Sequence, residues 1–121
     1  MGGMVTKTTQ KSAKTASDNL FSKLIRTAGE CEHCGSSNTL QCAHWISRRY
    51  SHTRTDFDNA FCLCAGCHRW FTDHPTEFSR WAISQRGEAT YQRLLEASRE
   101  RGKFDWIEER TRLKSMWEGV E

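Results

Sequence analysis

No stretch of this chain stays apolar for long. Its hydrophobic runs fall well short of the roughly 18 residues that cross a bilayer, and the N-terminus has no apolar block of the kind export signals carry. Those two absences predict a soluble protein of a reducing cytoplasm, with no membrane partner. Length is modest as well. A chain of 121 residues implies one domain whose limited core leans on a metal or a partner. Acidic side chains are missing from residues 1–16, MGGMVTKTTQKSAKTA, which hold three lysines and almost nothing apolar. With nothing to hold it to a core, this segment is expected to be a flexible basic arm, either touching phosphates through Lys7, Lys11 and Lys14 or inert. Proline occurs once, at Pro75.

Cysteine and histidine are what the chain does have, and they are concentrated. Residues 42–74 contain four of the five histidines and four of the six cysteines. Under reducing conditions paired CxxC motifs signal metal, whereas disulfides are the alternative an oxidising compartment would favour. The pairs Cys31/Cys34 and Cys64/Cys67 supply four thiolates. Two such knuckles satisfy tetrahedral zinc with no open position, so the expected site is structural. Cys42 and Cys62 are left over and read as small buried side chains on strands. His33, inside the first knuckle, reads as an exposed bystander rather than a replacement ligand.

Net charge is only +3, but it is unevenly spread. Residues 1–54 carry eight Lys or Arg against three acids, and residues 55–121 carry ten against twelve. A basic N-terminal half suits a polyanionic partner such as DNA; ordinary charge scatter on a solvated surface is the alternative.

Hydrophobic spacing places the elements. Leu20, Phe21, Leu24, Ile25 and Ala28 follow helical spacing after a Ser17 or Asp18 cap, with Gly29 as the stop. Residues 39–46 alternate as a strand with Leu40, Cys42, His44 and Ile46 on one face. Residues 47–58 read as a long polar loop, 60–63 as a second strand, and a helix begins near Ala65. Pro75 suits the first turn of a helix that runs to about Arg86 and ends at Gly87. Residues 88–100 and 104–118 read as two more helices, and the last could dock on its own chain or on a second copy.

His44, Asn59 and His68, the run from Asn59 to His68 (NAFCLCAGCH) and the two CxxC pairs occur in an order that resembles the HNH branch of the ββα-metal nucleases, especially small phage-associated HNH endonucleases framed by zinc knuckles. The resemblance covers residues 31–74, about a third of the chain. It implies an α+β fold: a ββα-metal core with two zinc knuckles, flanked by helices, in a single domain over 17–121 with C-terminal helices over 75–118. It also implies a metal-dependent DNA endonuclease of phage or prophage DNA processing, with one catalytic centre per monomer and so one nick per binding event.

The chemistry accounts for each position. Phosphodiester hydrolysis needs a base for water and positive charge where the phosphorane and leaving oxygen turn negative. Neutral imidazole at His44 suits the first task, and a divalent cation held by His68 suits the second. Asn59, ending the loop, can bond the backbone opposite His44 and hold that ring. Arg48, Arg49, Arg54 and Arg69 are candidate phosphate contacts, with a plain solvated loop as the alternative.

Two positions depart from the HNH pattern. Ala43 stands where Asp or His usually supplies a second metal ligand, and Thr72 stands where some relatives place another histidine. His74 and Asp73 follow His68 by six and five residues, which is not the same helix face. Sparse, imidazole-led coordination favours Mn²⁺ over Mg²⁺ as the catalytic ion. A zinc-stapled DNA-binding module with lapsed catalysis is the alternative function, with Ala43 as its main support. A homodimer is compatible with the last helix.

Overall fold

Two five-residue strands form the middle layer: β1 (Leu40–His44) and β2 (Ala60–Cys64) pair antiparallel with Cys42 opposite Cys62 and His44 opposite Ala60. The computed structural model describes residues 2–120, with side chains from Thr9 onward. Strand alternation sends successive residues to opposite faces, and this hairpin has a core on each. Ala43, Phe61 and Leu63 pack with Cys31, Phe71 and Ala82 on one face. Cys42 and Ala60 pack with Phe21, Leu24 and Leu113 on the other. The molecule is therefore rich in helix around a small antiparallel sheet, which is compatible with the expected α+β class.

The second face is covered by α1 (Gly2–Arg26) and α6 (Trp106–Val120). Here the expected flexible arm over residues 1–16 is corrected: helix α1 runs through that segment. Ala13, Ser17, Phe21 and Leu24 are its buried positions, spaced by whole helical turns, so one stripe faces inward. Gln10 anchors the early part of the helix by accepting from the Trp106 backbone N–H at 2.9 Å and donating to Asp105 at 3.0 Å. The cap expected at Ser17 or Asp18 is corrected too, because both residues lie in mid-helix. Gly29 does mark the exit, with φ of 80° that L side chains rarely adopt.

The connection after β1 is less open than the loop expected over 47–58. It contains a helical turn, α2 (Ser51–Arg54), and a 3-10 turn over Phe57–Asn59 that Asp56 caps by accepting from the Asp58 N–H. Past β2 come α3 (Ala65–Asp73), α4 (Pro75–Arg86) and α5 (Glu88–Ser98). Pro75 occupies the first turn of α4, where a missing N–H costs nothing, and Gly87 with φ of 90° separates α4 from α5. Phe71 of α3 stacks on Phe78 and Trp81 of α4, with centroids 4.9 and 5.2 Å away. These rings close the first core beside the cysteine knuckles. Among the described residues, no helix is long and apolar enough to cross a membrane.

Candidate active site and metal centre

Two backbone turns bring four sulfurs together. In the first knuckle, Cys34 N–H points at Cys31 Sγ at 3.4 Å and Gly35, with positive φ, closes the turn onto the Cys31 carbonyl at 2.8 Å. In the second, Cys64 ends β2 and caps α3, its Sγ accepting from the Cys67 N–H at 3.4 Å. The Sγ atoms of Cys31, Cys34, Cys64 and Cys67 all lie within 4.8 Å of one another. Cys34 and Cys64 sulfurs are 3.7 Å apart, too far for a disulfide. The separation matches the ~3.8 Å expected between sulfurs arranged tetrahedrally at ~2.3 Å from zinc. Four thiolates gathered at these distances would repel one another unless a cation lay between them. The residues fit a structural zinc.

Cys42 and Cys62 stay out of that group. Burial raises both thiols, Cys42 to about 12, which keeps them protonated and inert. His33 is more engaged than its expected bystander role. Its Nδ1 lies 3.2 Å from Cys67 Sγ, and its ring packs edge-on against Phe71 and Trp81. Glu32, between the two cysteines of the first knuckle, ties that knuckle to β2: its Oε2 accepts from the Cys62 N–H at 2.6 Å and its own N–H donates to the Cys62 carbonyl at 2.8 Å.

His44 sits at the end of β1, partly buried against Phe21. Its Nε2 is 2.8 Å from the Arg54 carbonyl oxygen. A carbonyl can only accept, so Nε2 carries the proton and Nδ1 keeps a free lone pair. Burial pushes the imidazole below its ordinary value, with Arg48 and Arg54 adding to the effect and the Arg54 carbonyl opposing it. The neutral ring is the form that can take a proton.

Asn59 is fully buried and spends its whole amide on this loop. Its Oδ1 accepts from the Ile46 N–H at 2.7 Å, while Nδ2 donates to the Ile46 and Thr53 carbonyls, each at 3.0 Å. Its backbone carbonyl also accepts from the Trp45 N–H at 2.9 Å. Both ends of the excursion between the strands are thereby pinned just after His44.

His68 lies on the first turns of α3. Gln41 Oε1 accepts a hydrogen bond from its Nδ1–H at 2.8 Å, leaving Nε2 bare, and burial lowers its basicity as well. Although twenty-four positions separate them in sequence, His44 and His68 line one cavity of about 350 Å³ together with Asp18, Ser47 and Arg48. On its other side His68 borders an open depression with Gln41, Arg69, Thr72 and Asp73. Comparison with models of known families, with curated proteins and with solved structures gives no match to this chain. What the site can do rests on its geometry.

The arginines divide into two kinds. Arg48 is 59% exposed at the cavity and pairs with Asp18 at 3.2 Å; Arg49 is exposed over the Tyr50 ring; Arg69 is exposed beside His68. Arg54 is only 13% exposed. Its Nε and Nη2 both bond Asp18, at 2.8 and 2.7 Å, so it serves the fold before any ligand. His74 is taken by its own helix end, with Nδ1 2.7 Å from the Trp70 carbonyl and its ring stacked on Trp70. Thr72 donates to the His68 carbonyl. Among the described residues, the four cysteines are the one metal-competent group of three or more such side chains.

Asp18, Gln41 and Glu32 escaped the sequence reading. Asp18 resembled a helix cap, and nothing in the local sequence marks Gln41 or Glu32, whose partners lie far along the chain.

Proposed function

We propose that the chain is a metal-dependent DNA endonuclease of the HNH type, held together by a four-cysteine zinc site and cutting one strand per monomer. The observation that carries this reading is that His44 and His68 line the same cavity, each with one ring nitrogen tied by a hydrogen bond and the other bare. His44 Nδ1 takes a proton from water as the water oxygen bonds to phosphorus. The P–O3′ bond then breaks, its electron pair leaving with the 3′ oxygen, which takes a proton from solvent water to give a 3′-hydroxyl beside the 5′-phosphate. His68 is the protein ligand for a divalent cation, which when bound supplies positive charge for the phosphorane and the leaving oxygen. With one imidazole nitrogen as its protein donor, such an ion would rely on water and substrate phosphate for its other ligands, a mixture that would suit Mn²⁺ better than Mg²⁺. Arg48 lines the cavity of the two histidines, Arg69 borders the depression beside His68, and Arg49 is an exposed cation next to Arg48 in sequence; all three suit DNA phosphates.

The test is nicking of supercoiled plasmid by zinc-loaded protein, after chelation of loosely held metal and titration with Mn²⁺ or Mg²⁺. Open circles should form with Mn²⁺, faster than with Mg²⁺ at equal concentration. His44→Ala should slow single-turnover nicking by at least about 100-fold while retaining DNA binding. The second reading, a zinc-stapled DNA-binding module without catalysis, is favoured because, among the described residues, His68 belongs to no group of three or more metal-competent side chains. Tight DNA binding with no nicking under any divalent ion would establish it.

A further inference from the structure

Helix α1 is tied to His44 in two steps. Asp18 of α1 receives the fork of Arg54, at 2.8 Å from Nε to Oδ1 and 2.7 Å from Nη2 to Oδ2. The remaining nitrogen of that fork, Nη1, donates to the Arg48 carbonyl at 2.7 Å. All three guanidinium nitrogens are therefore engaged and the group is nearly enclosed, so its orientation is set. Arg54's own carbonyl oxygen is the one that accepts the Nε2 proton of His44. Asn59 pins the preceding carbonyl, that of Thr53, but residue 54 itself is gripped through its side chain. The short turn that carries it, α2, has no side-chain cap to stiffen it.

We propose that Asp18 is a positioning residue: by clamping the Arg54 fork it keeps the Arg54 carbonyl on His44, and so holds the imidazole as the Nε2–H tautomer with Nδ1 bare. Helix α1 then belongs to the machinery and is more than a lid on the second core. A bidentate carboxylate–guanidinium pair is suited to this because two parallel bonds fix direction as well as distance. Second partners of a working histidine commonly set its tautomer and ring orientation. The catalytic meaning of that tautomer rests on the nuclease reading above; the positioning itself does not.

The experiment uses the zinc-loaded full chain labelled with ¹⁵N in histidine, for which ring-nitrogen shifts separate the two neutral tautomers. Wild type should show His44 protonated at Nε2. Asp18→Asn, which keeps size and removes the charge, should give a mixture of tautomers at His44 with His68 unchanged. Arg54→Lys, which keeps charge and loses the fork, should do the same, and Asp18→Glu should restore most of the wild-type signal. Single-turnover nicking should fall about tenfold in Asp18→Asn, part of the roughly 100-fold or more that a general base contributes, with DNA affinity at matched salt nearly unchanged. A purely structural ion pair would lower the melting temperature and leave the tautomer alone. A wild-type His44 spectrum in both Asp18→Asn and Arg54→Lys would overturn the proposal; should Asp18→Asn not fold, Arg54→Lys alone decides it. A wild-type protein that never nicks DNA would sink the nuclease reading, while the same spectra still judge Asp18.

Discussion

Ala43 and Phe61 are partners in the β1–β2 ladder, and neither has exposed surface. Around them lie Leu63, Phe71 and Ala82, so the position at which the resemblance to HNH nucleases would call for a second metal ligand looks into an apolar core. Introducing that ligand as Ala43→Asp is expected to unfold the protein rather than strengthen metal binding. A buried carboxylate without a partner belongs with the substitutions that cost more than about 4 kcal/mol. Thermal melting with zinc analysis checks this. A folded Ala43→Asp variant with tighter Mn²⁺ binding would contradict the packing described.

Protonation of the two site histidines should show in the pH dependence. Burial lowers both His44 and His68, so the folded protein keeps them neutral below the ordinary imidazole value of about 6.5, while the unfolded chain protonates there. Stability should therefore decline as pH falls from about 6.5 through the folded-state values. The nicking rate should hold its plateau past 6.5 and drop only at lower pH. Rate profiles at saturating metal, beside urea midpoints at pH 7 and 5.5, measure both effects; an acid limb centred above 6.5 would be inconsistent with buried neutral rings.

Zinc content should follow the geometry of the sulfurs. Purified protein is expected to hold about one zinc per chain, and serine at Cys31, Cys34, Cys64 or Cys67 should cost the metal and the fold together. Cys42→Ala and Cys62→Ala should keep it. Metal analysis combined with circular dichroism settles the pairing, and zinc lost with Cys42 but retained without Cys31 would reverse it.

The arginines should separate by function. Neutral replacements of Arg48, Arg49 and Arg69 are expected to weaken DNA binding on all sequences alike and to make the slope of log affinity against log salt shallower by about one unit each. Arg54→Gln should leave that slope in place and lower stability by about 1 to 3 kcal/mol, because it breaks charged hydrogen bonds to Asp18. Salt titrations and denaturant midpoints on the four variants test the division.

Ser17 is an unusual liability in α1. Its hydroxyl is fully buried and has no hydrogen-bond partner among the described residues, and alanine is the better helix former. Ser17→Ala is therefore expected to be neutral or stabilising by up to about 1 kcal/mol. A loss of more than that in urea unfolding would reveal a partner for the hydroxyl.

Much of the scaffold was legible because its causes are local. A CxxC pair needs only its own turn to aim two sulfurs at one point, so the four thiolates could be named from spacing. Pro75 and Gly87 bound α4 where their own backbone preferences put them. The order of strand, excursion, strand and helix also follows from alternation and spacing within short windows. His44, Asn59 and His68 were visible as residue types at set intervals along that order.

What the sequence could not decide depends on contacts between distant residues. Residues 9–16 look unable to hold to a core until α6 packs along α1 and takes the Gln10 bonds at its start, and Ala13 is buried in the folded chain. Asp18 reads as a cap until Arg54, thirty-six positions away, reaches it; Gln41 is an ordinary strand residue until α3 brings His68 to it. Whether Ala43 faced the cavity or the core turned on which helices cover each side of a two-stranded sheet. The residue types and their order were set by the sequence alone, whereas the free nitrogen on each histidine, and the cations available to a ligand, were decided by tertiary packing, because a hydrogen bond has a direction that only the folded chain supplies.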